Sequence, residues 1–94
     1  MDTSAAPTTK ALSDCRILIV DDDRLNISIL KRILKAEGYQ LESAGSGEEA
    51  LEKYVVFSPD LVLLDVMMPG INGFQACRQL NEQYGDDCAP IIFI

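Results

Sequence analysis

The fold of this chain is decided by the stretch Leu61-Val62-Leu63-Leu64-Asp65-Val66-Met67-Met68-Pro69-Gly70, in which an apolar run ends in one carboxylate and a turn follows at once. Apolar runs of this length, bounded by turn residues, are typical of a strand that is buried on both faces of a parallel sheet. Open α/β sheets bind their ligands beyond the carboxyl ends of such strands. Asp65 is therefore a candidate functional residue.

A second stretch repeats the pattern near the start of the chain. The run Cys15-Arg16-Ile17-Leu18-Ile19-Val20 is mostly apolar and ends in Asp21, Asp22 and Asp23. If the two strands are neighbours in a parallel sheet, four carboxylates lie at one edge, and their mutual repulsion favours a bound cation. Hard oxygen ligands of this kind suit Mg²⁺, which keeps several water molecules and also binds phosphate.

Strand and helix patterns alternate along the rest of the chain. We predict strands at 16–20, 39–44, 61–64 and 90–94, with helices at about 24–37, from the N-cap Ser46 to about Phe57, and after Asn72. Ser46 and Glu49 match a capping box, and Gly38 is placed to end the first helix. The predicted inward-facing residues are Ile27, Leu30 and Leu34; Ala50, Leu51, Tyr54 and Val55; and Phe74, Cys77, Leu80 and Tyr84. Alternation of this kind predicts an α/β fold with a parallel sheet and helices on both faces.

Composition excludes several classes of function. The 94 residues suffice for one small domain, predicted at 15–94 after a flexible leader at 1–14. With 8 basic and 15 acidic residues the net charge is −7, which argues against binding to nucleic acid or to an anionic membrane. The chain has no histidine, so Ser-His-Asp and Cys-His catalysis are excluded. The three widely spaced cysteines and the lack of a signal peptide or membrane span favour a cytoplasmic protein with reduced thiols.

The acidic residues are not equivalent. Asp65 ends its strand alone and is best placed to act as a nucleophile towards phosphorus. Asp23 precedes a predicted helix and is better explained as its N-cap, while Asp60 follows a proline and is explained by turn chemistry. Asp21 and Asp22 could cap the same helix, but two further acids exceed what capping needs, so we favour a functional role for them.

These residues resemble the receiver domain of two-component response regulators. The resemblance rests on three motifs in order, namely Ile17–Asp23, Ser46–Leu51 and Pro59–Phe74. It implies a flavodoxin-like (CheY-like) sheet with strand order 2-1-3-4-5, and transfer of a phosphoryl group to Asp65 from a phosphohistidine on a histidine kinase or phosphotransfer protein. It also implies that Asp22, Asp65 and the backbone carbonyl of Met67 hold Mg²⁺, with Asp21 acting through water. Asn72 stands where the family more often has aspartate.

Part of the family pattern is missing from these 94 residues. The family has Ser or Thr directly after the fourth strand, Lys at the end of a fifth strand, and two more helices, none of which follows Ile94. We therefore expect a C-terminally truncated receiver domain that is not itself an enzyme, whose phosphorylation is impaired, and which self-associates through the exposed strand 90–94. One alternative is an interaction module that works without phosphorylation. A Mg²⁺-dependent phosphohydrolase ranks last, because Met67 occupies the position where such enzymes need an acid.

Overall fold

The structure is a computed structural model that describes residues 14–94, so the predicted leader lies outside the described residues except for Asp14. Four strands and three helices alternate along the described chain, and a 3₁₀ turn at Gly85–Asp87 lies in the loop before the last strand. They are β1 (Arg16–Val20), α1 (Arg24–Ala36), β2 (Gln40–Ala44), α2 (Gly47–Phe57), β3 (Leu61–Leu64), α3 (Gly73–Tyr84) and β4 (Ile91–Phe93). The predicted alternation is thus confirmed, with each boundary within two residues of its prediction.

The strands form one parallel sheet in the order β2-β1-β3-β4. This is the flavodoxin-like arrangement that the family resemblance implies, limited to its first four strands. Val20 at the end of β1 is level with Ala44 of β2 and Leu64 of β3. The segments that follow β1 and β3 therefore start side by side at the carboxyl edge of the sheet.

The two faces of the sheet are packed unequally. On the face covered by α2 and α3, a continuous core is formed by Leu18, Val20, Ala44, Ala50, Tyr54, Val62, Leu64, Met68, Ala76 and Leu80. Side chains alternate along a strand, so Ile17 and Ile19 belong to the opposite face, where α1 contacts β1 and β2. No residue of α1 is fully buried. Helices thus cover both faces, but only the α2/α3 face has a dense core.

Two of the predicted inward-facing residues are wrong. Val55 is 59% exposed and Phe74 58%. In α3 the small residue Ala76 faces the core, and Phe74 instead packs its ring at a tilt against that of Phe93, at a centroid distance of 5.0 Å. Helical periodicity predicted an apolar stripe, but it did not show which side of that stripe meets the sheet.

Side-chain caps begin all three helices. Asp23 Oδ1 accepts from the amide of Leu25 at 2.9 Å, which confirms its predicted role as an N-cap. Ser46 accepts from the amide of Glu49 at 3.1 Å, but Glu49 accepts from the amide of Gly45 and not from that of Ser46. The predicted capping box of α2 is therefore only half formed, because the Glu49 side chain reaches one residue further back. A complete capping box is found at α3, between Asn72 and Gln75.

The turn before β3 does more than the sequence predicted. The Asp60 carboxylate accepts from the amide of Arg16 at 2.9 Å, and the Asp60 amide donates to the Arg16 carbonyl at 2.7 Å. The Arg16 guanidinium also donates to the carbonyl of Phe57, the last residue of α2. Asp60 and Arg16 therefore connect the start of β3 to the start of β1.

Within residues 14–94, no helix has the length and apolar character needed to cross a membrane.

Candidate functional site

Three acidic side chains converge at the carboxyl edge of the sheet. Carboxylate oxygens of Asp21, Asp22 and Asp65 all lie within 4.8 Å of one another. The backbone brings them there, since the Asp65 amide donates to the Val20 carbonyl at 2.8 Å and the Asp21 amide to the Ala44 carbonyl at 3.1 Å. The acids that follow β1 and the acid that follows β3 are thus close enough to share one divalent cation.

Asp21 is the buried member of this group, with 4% of its surface exposed. Its Oδ1 accepts from the amide of Asp23 at 2.9 Å, and its Oδ2 accepts from Nδ2 of Asn26 at 3.3 Å. A buried carboxylate needs donors of this kind to offset its desolvation. The sequence analysis missed Asn26, although an amide in the first turn of the helix that follows the acids was an available signal.

The other two acids are more accessible. Asp22 is exposed and Asp65 is half-buried. Asp23 is outside the carboxylate group because its side chain caps α1. The structure therefore separates the run Asp21-Asp22-Asp23 into one buried acid, one exposed acid and one helix cap.

Asp65 has a perturbed acidity. Burial raises the pKa of the Asp65 carboxyl above its ordinary value, and the nearby Asp21 and Asp22 raise it further. A hydrogen bond from the Met67 amide to Asp65 Oδ1, at 3.2 Å, lowers the pKa and offsets part of this effect. Met67 is 80% exposed, and its contact with the acids is made by its backbone amide.

A lysine network, also missed by the sequence analysis, holds the neighbouring β2–α2 loop. Lys53 Nζ donates to the Ser43 carbonyl at 2.6 Å and pairs with Glu49 at 3.1 Å and Glu42 at 3.4 Å. Hydrogen bonding to Glu49 raises the pKa of Lys53, and the Glu49 pKa is lowered first by the Gly45 amide and then by Lys53. A cavity of about 510 Å³ between this network and α1 is lined in part by Asp21 and Asp22.

Three oxygen-bearing acids at this spacing fit a hard divalent cation. Mg²⁺ is usually held by one or two carboxylates together with water and a substrate phosphate. The described chain contributes no histidine or thiolate to the group, so a softer metal such as zinc is disfavoured. Burial raises the pKa of Asp65, and Asp21 and Asp22 raise it further, in line with repulsion among the three acids.

Comparison with known sequences points to one family. The sequence profile of the response regulator receiver domain matches residues 17–94. Response regulator MprA of Mycolicibacterium vanbaalenii is 48% identical over 79 residues, which is 84% of this chain and 33% of the relative. The alkaline phosphatase synthesis transcriptional regulatory protein PhoP of Bacillus subtilis is 43% identical over 68 residues, 72% of this chain and 28% of PhoP. The chain thus spans about a third of the length of these curated relatives.

Solved structures agree with the sequence comparison. Response regulator TrrA of Thermotoga maritima, crystallised in complex with Mg²⁺-BeF, is similar with a TM-score of 0.79 and 41% identity, covering 85% of this chain and 68% of TrrA. The signal receiver domain of a histidine kinase from Syntrophus aciditrophicus has a TM-score of 0.79 and 37% identity, covering 86% of this chain and 61% of that domain.

Proposed function

The chain belongs to the receiver domain family of response regulators, and from this premise we propose that it accepts a phosphoryl group on Asp65 from a phosphohistidine of a partner protein. The partner would be a histidine kinase or a histidine phosphotransfer protein, since the chain has no histidine of its own. The observation that supports this proposal best is the convergence of the Asp21, Asp22 and Asp65 carboxylates within 4.8 Å.

Asp65 is the proposed nucleophile. One of its carboxylate oxygens forms a bond to phosphorus while the P–N bond to the partner's histidine breaks, and the imidazole leaves with the electron pair of that bond. The reaction requires Asp65 to be ionised, whereas burial, and after it Asp21 and Asp22, raise the pKa of this carboxyl. The Met67 amide, bonded to Asp65 Oδ1 at 3.2 Å, orients the carboxylate for attack by the other oxygen.

Mg²⁺ is the proposed cofactor. Asp22, Asp65 and the backbone carbonyl of Met67 would hold the ion, and Asp21 would support it through water. When bound, Mg²⁺ supplies positive charge that offsets the repulsion among the acids and the charge on the phosphoryl oxygens. Asp21 is kept in place for this task by Asn26 and by the amide of Asp23.

A phosphorylation assay tests the assignment of Asp65. We expect incubation with phosphoramidate or acetyl phosphate and Mg²⁺ to add one phosphoryl group, measured by intact-protein mass spectrometry. The extent should be partial, because the hydroxyl and lysine that the family resemblance implies are not among these residues. The mass gain should be lost in Asp65→Asn and kept in Asp86→Asn, an exposed acid of the 3₁₀ turn. A folded protein with no mass gain, or an equal gain in Asp65→Asn, would refute the proposal.

We also propose that this chain self-associates through residues 90–94. Among the described residues β4 pairs only with β3, so its outer edge is free, and Ile92, Phe93 and Ile94 are 51%, 41% and 47% exposed. Residues 90–94 include no charged side chain, and edge strands without charged residues tend to pair with other chains. This surface would also serve the alternative function, an interaction module that works without phosphorylation.

Sedimentation velocity at micromolar concentrations tests the association. We expect a concentration-dependent dimer that Ile92→Lys weakens at least tenfold, because a charge at the edge opposes pairing. Val56→Lys is the matched control, since Val56 is 86% exposed on α2, which packs on β1 and β2. A monomer at all concentrations, or equal weakening by the two substitutions, would exclude the proposed interface.

The remaining assignments follow from composition. The net charge of −7 supports a domain that does not bind nucleic acid, and the three free cysteines of the described chain are consistent with a cytoplasmic location. The proposed role is that of a phosphoacceptor that the partner modifies, so the chain itself need not be an enzyme.

A further inference from the structure

Two glycines are in close contact with the loop that joins β3 to α3, and this loop contains both Asp65 and Met67. Gly73 and Gly47 are both buried, and neither has a positive φ, so the backbone conformation does not demand glycine at these positions. The reason for glycine must therefore be the space around them.

Gly73 lies directly against the backbone of the proposed phosphoacceptor. A Cβ atom built on Gly73 would collide with the Asp65 carbonyl oxygen and lie 2.8 Å from Val66 Cα and 3.0 Å from the Asp65 carbonyl carbon. All of these are backbone atoms, which cannot rotate away as the end of a side chain can. The Gly73 amide also donates to the Val66 carbonyl at 3.0 Å, which closes the loop at this point.

Gly47 lies against Ile71, a later residue of the same loop. A Cβ atom there would be 2.7 Å from the Ile71 carbonyl oxygen and 3.0 Å from Ile71 Cβ. Gly47 is the first residue of α2 and Gly73 is the first residue of α3. The loop is thus held between the starts of two helices, each at a contact that any side chain would obstruct.

We infer that Gly73 and Gly47 are positioning residues of the acidic site, which hold the β3–α3 loop on the path that keeps Asp65 and Met67 beside Asp21 and Asp22. This inference rests on the proposed function, in which Asp65 and the Met67 carbonyl act together on one cation. Gly73 acts directly on the backbone of Asp65, whereas Gly47 acts on the loop through Ile71. An added methyl group at either position displaces the loop, and with it the metal ligands.

Titration with Mg²⁺ tests the inference, with calorimetry as the readout and far-UV circular dichroism in EDTA as the check on folding. We expect Gly73→Ala to weaken Mg²⁺ binding at least tenfold and Gly47→Ala to weaken it by a smaller factor. Gly45→Ala is the matched control, because a Cβ there meets only the Glu49 side chain at an ordinary 3.6 Å. Its affinity should stay within twofold of that of the unsubstituted protein.

A second control separates positioning from general destabilisation. Leu80→Ala removes a buried side chain from α3, and should lower the urea midpoint without changing the Mg²⁺ dissociation constant. For a glycine variant that is partly unfolded in EDTA, the Mg²⁺ dependence of the urea midpoint gives the affinity of the folded form.

The outcomes distinguish the inference from the proposed function. If the unsubstituted protein binds Mg²⁺ and Gly73→Ala binds it equally well, the glycines are not positioning residues but the metal assignment stands. The same conclusion follows if Leu80→Ala weakens binding as much as Gly73→Ala does. If the unsubstituted protein does not bind Mg²⁺, the metal assignment fails and this inference fails with it.

Discussion

At the scale of single residues, Asp65 links the electrostatics of the site to the stability of the fold. Its pKa is raised in the folded protein, chiefly by burial and then by Asp21 and Asp22, so the folded state binds a proton more tightly than the unfolded state. Stability without metal must then fall as the pH rises from the ordinary aspartate pKa of 3.8 through the raised value of Asp65.

We predict that Asp65→Asn stabilises the metal-free protein at pH 7 by on the order of 1 kcal/mol, because it removes one of three clustered charges at a partly solvated site. The substitution should also flatten the pH dependence described above. Urea unfolding in EDTA between pH 4 and pH 8 measures both effects, with Asp86→Asn as the control for loss of an exposed charge. A destabilised Asp65→Asn protein would contradict the charge argument.

The sequence predicted the members of this site better than their environments. Asp21, Asp22 and Asp65 could be predicted because each follows directly on an apolar strand, and parallel strands bring their carboxyl ends to one edge. The bond between Asn26 and Asp21 could not, since it depends on how α1 is rotated about its axis. The pair of Glu49 and Lys53 was a sequence signal that went unused, since the two are four residues apart on one helix. The contacts of Lys53 with Glu42 and Ser43 could not be predicted, because they depend on how α2 packs beside β2.

At the scale of secondary-structure elements, Tyr54 joins α2 to the segment that enters β4. Its ring lies 4.6 Å from the ring of Tyr84, and its hydroxyl oxygen accepts from the amide of Ala89 at 2.7 Å. Burial raises the pKa of the Tyr54 hydroxyl, in keeping with its place in the core. One side chain thus connects α2, α3 and the last strand.

We predict that Tyr54→Phe destabilises the protein by about 1–3 kcal/mol, because the Ala89 amide loses its partner in a partly buried position. Tyr84→Phe is the matched control, since the Tyr84 hydroxyl is not hydrogen-bonded to any described residue. Thermal unfolding of the two variants gives the comparison. Equal losses in the two variants would mean that the hydrogen bond between Tyr54 and Ala89 does not account for the effect.

The elements themselves were predicted closely from local signals. Strands β1 and β3 begin and end at the predicted residues, since turn or charged residues bound their apolar runs on both sides. The misplaced residues Val55 and Phe74 lie on helices whose apolar surface is wider than the face that meets the sheet. Only the tertiary structure decides which part of such a surface is buried, so periodicity alone could not exclude them.

At the scale of the whole molecule, a cation that binds only the folded protein must stabilise it. We predict that Mg²⁺ at about 100 times its dissociation constant adds roughly 2.7 kcal/mol to the free energy of unfolding. Chemical unfolding in millimolar Mg²⁺ and in EDTA measures the difference, and Asp22→Asn should reduce it. An unfolding midpoint that does not respond to Mg²⁺ would count against the acidic group as a metal site.

The two faces of the sheet differ in how densely their side chains are packed. The α2/α3 face holds the dense core, whereas α1 contributes no fully buried residue and leaves Leu25, Ile29 and Ile33 largely in water. Amide protons of α1 should therefore exchange with solvent through a local opening that leaves the sheet intact. Asp21 and Asp22 lie between β1 and this helix, so a ligand that binds both carboxylates should also slow the exchange of the α1 amide protons.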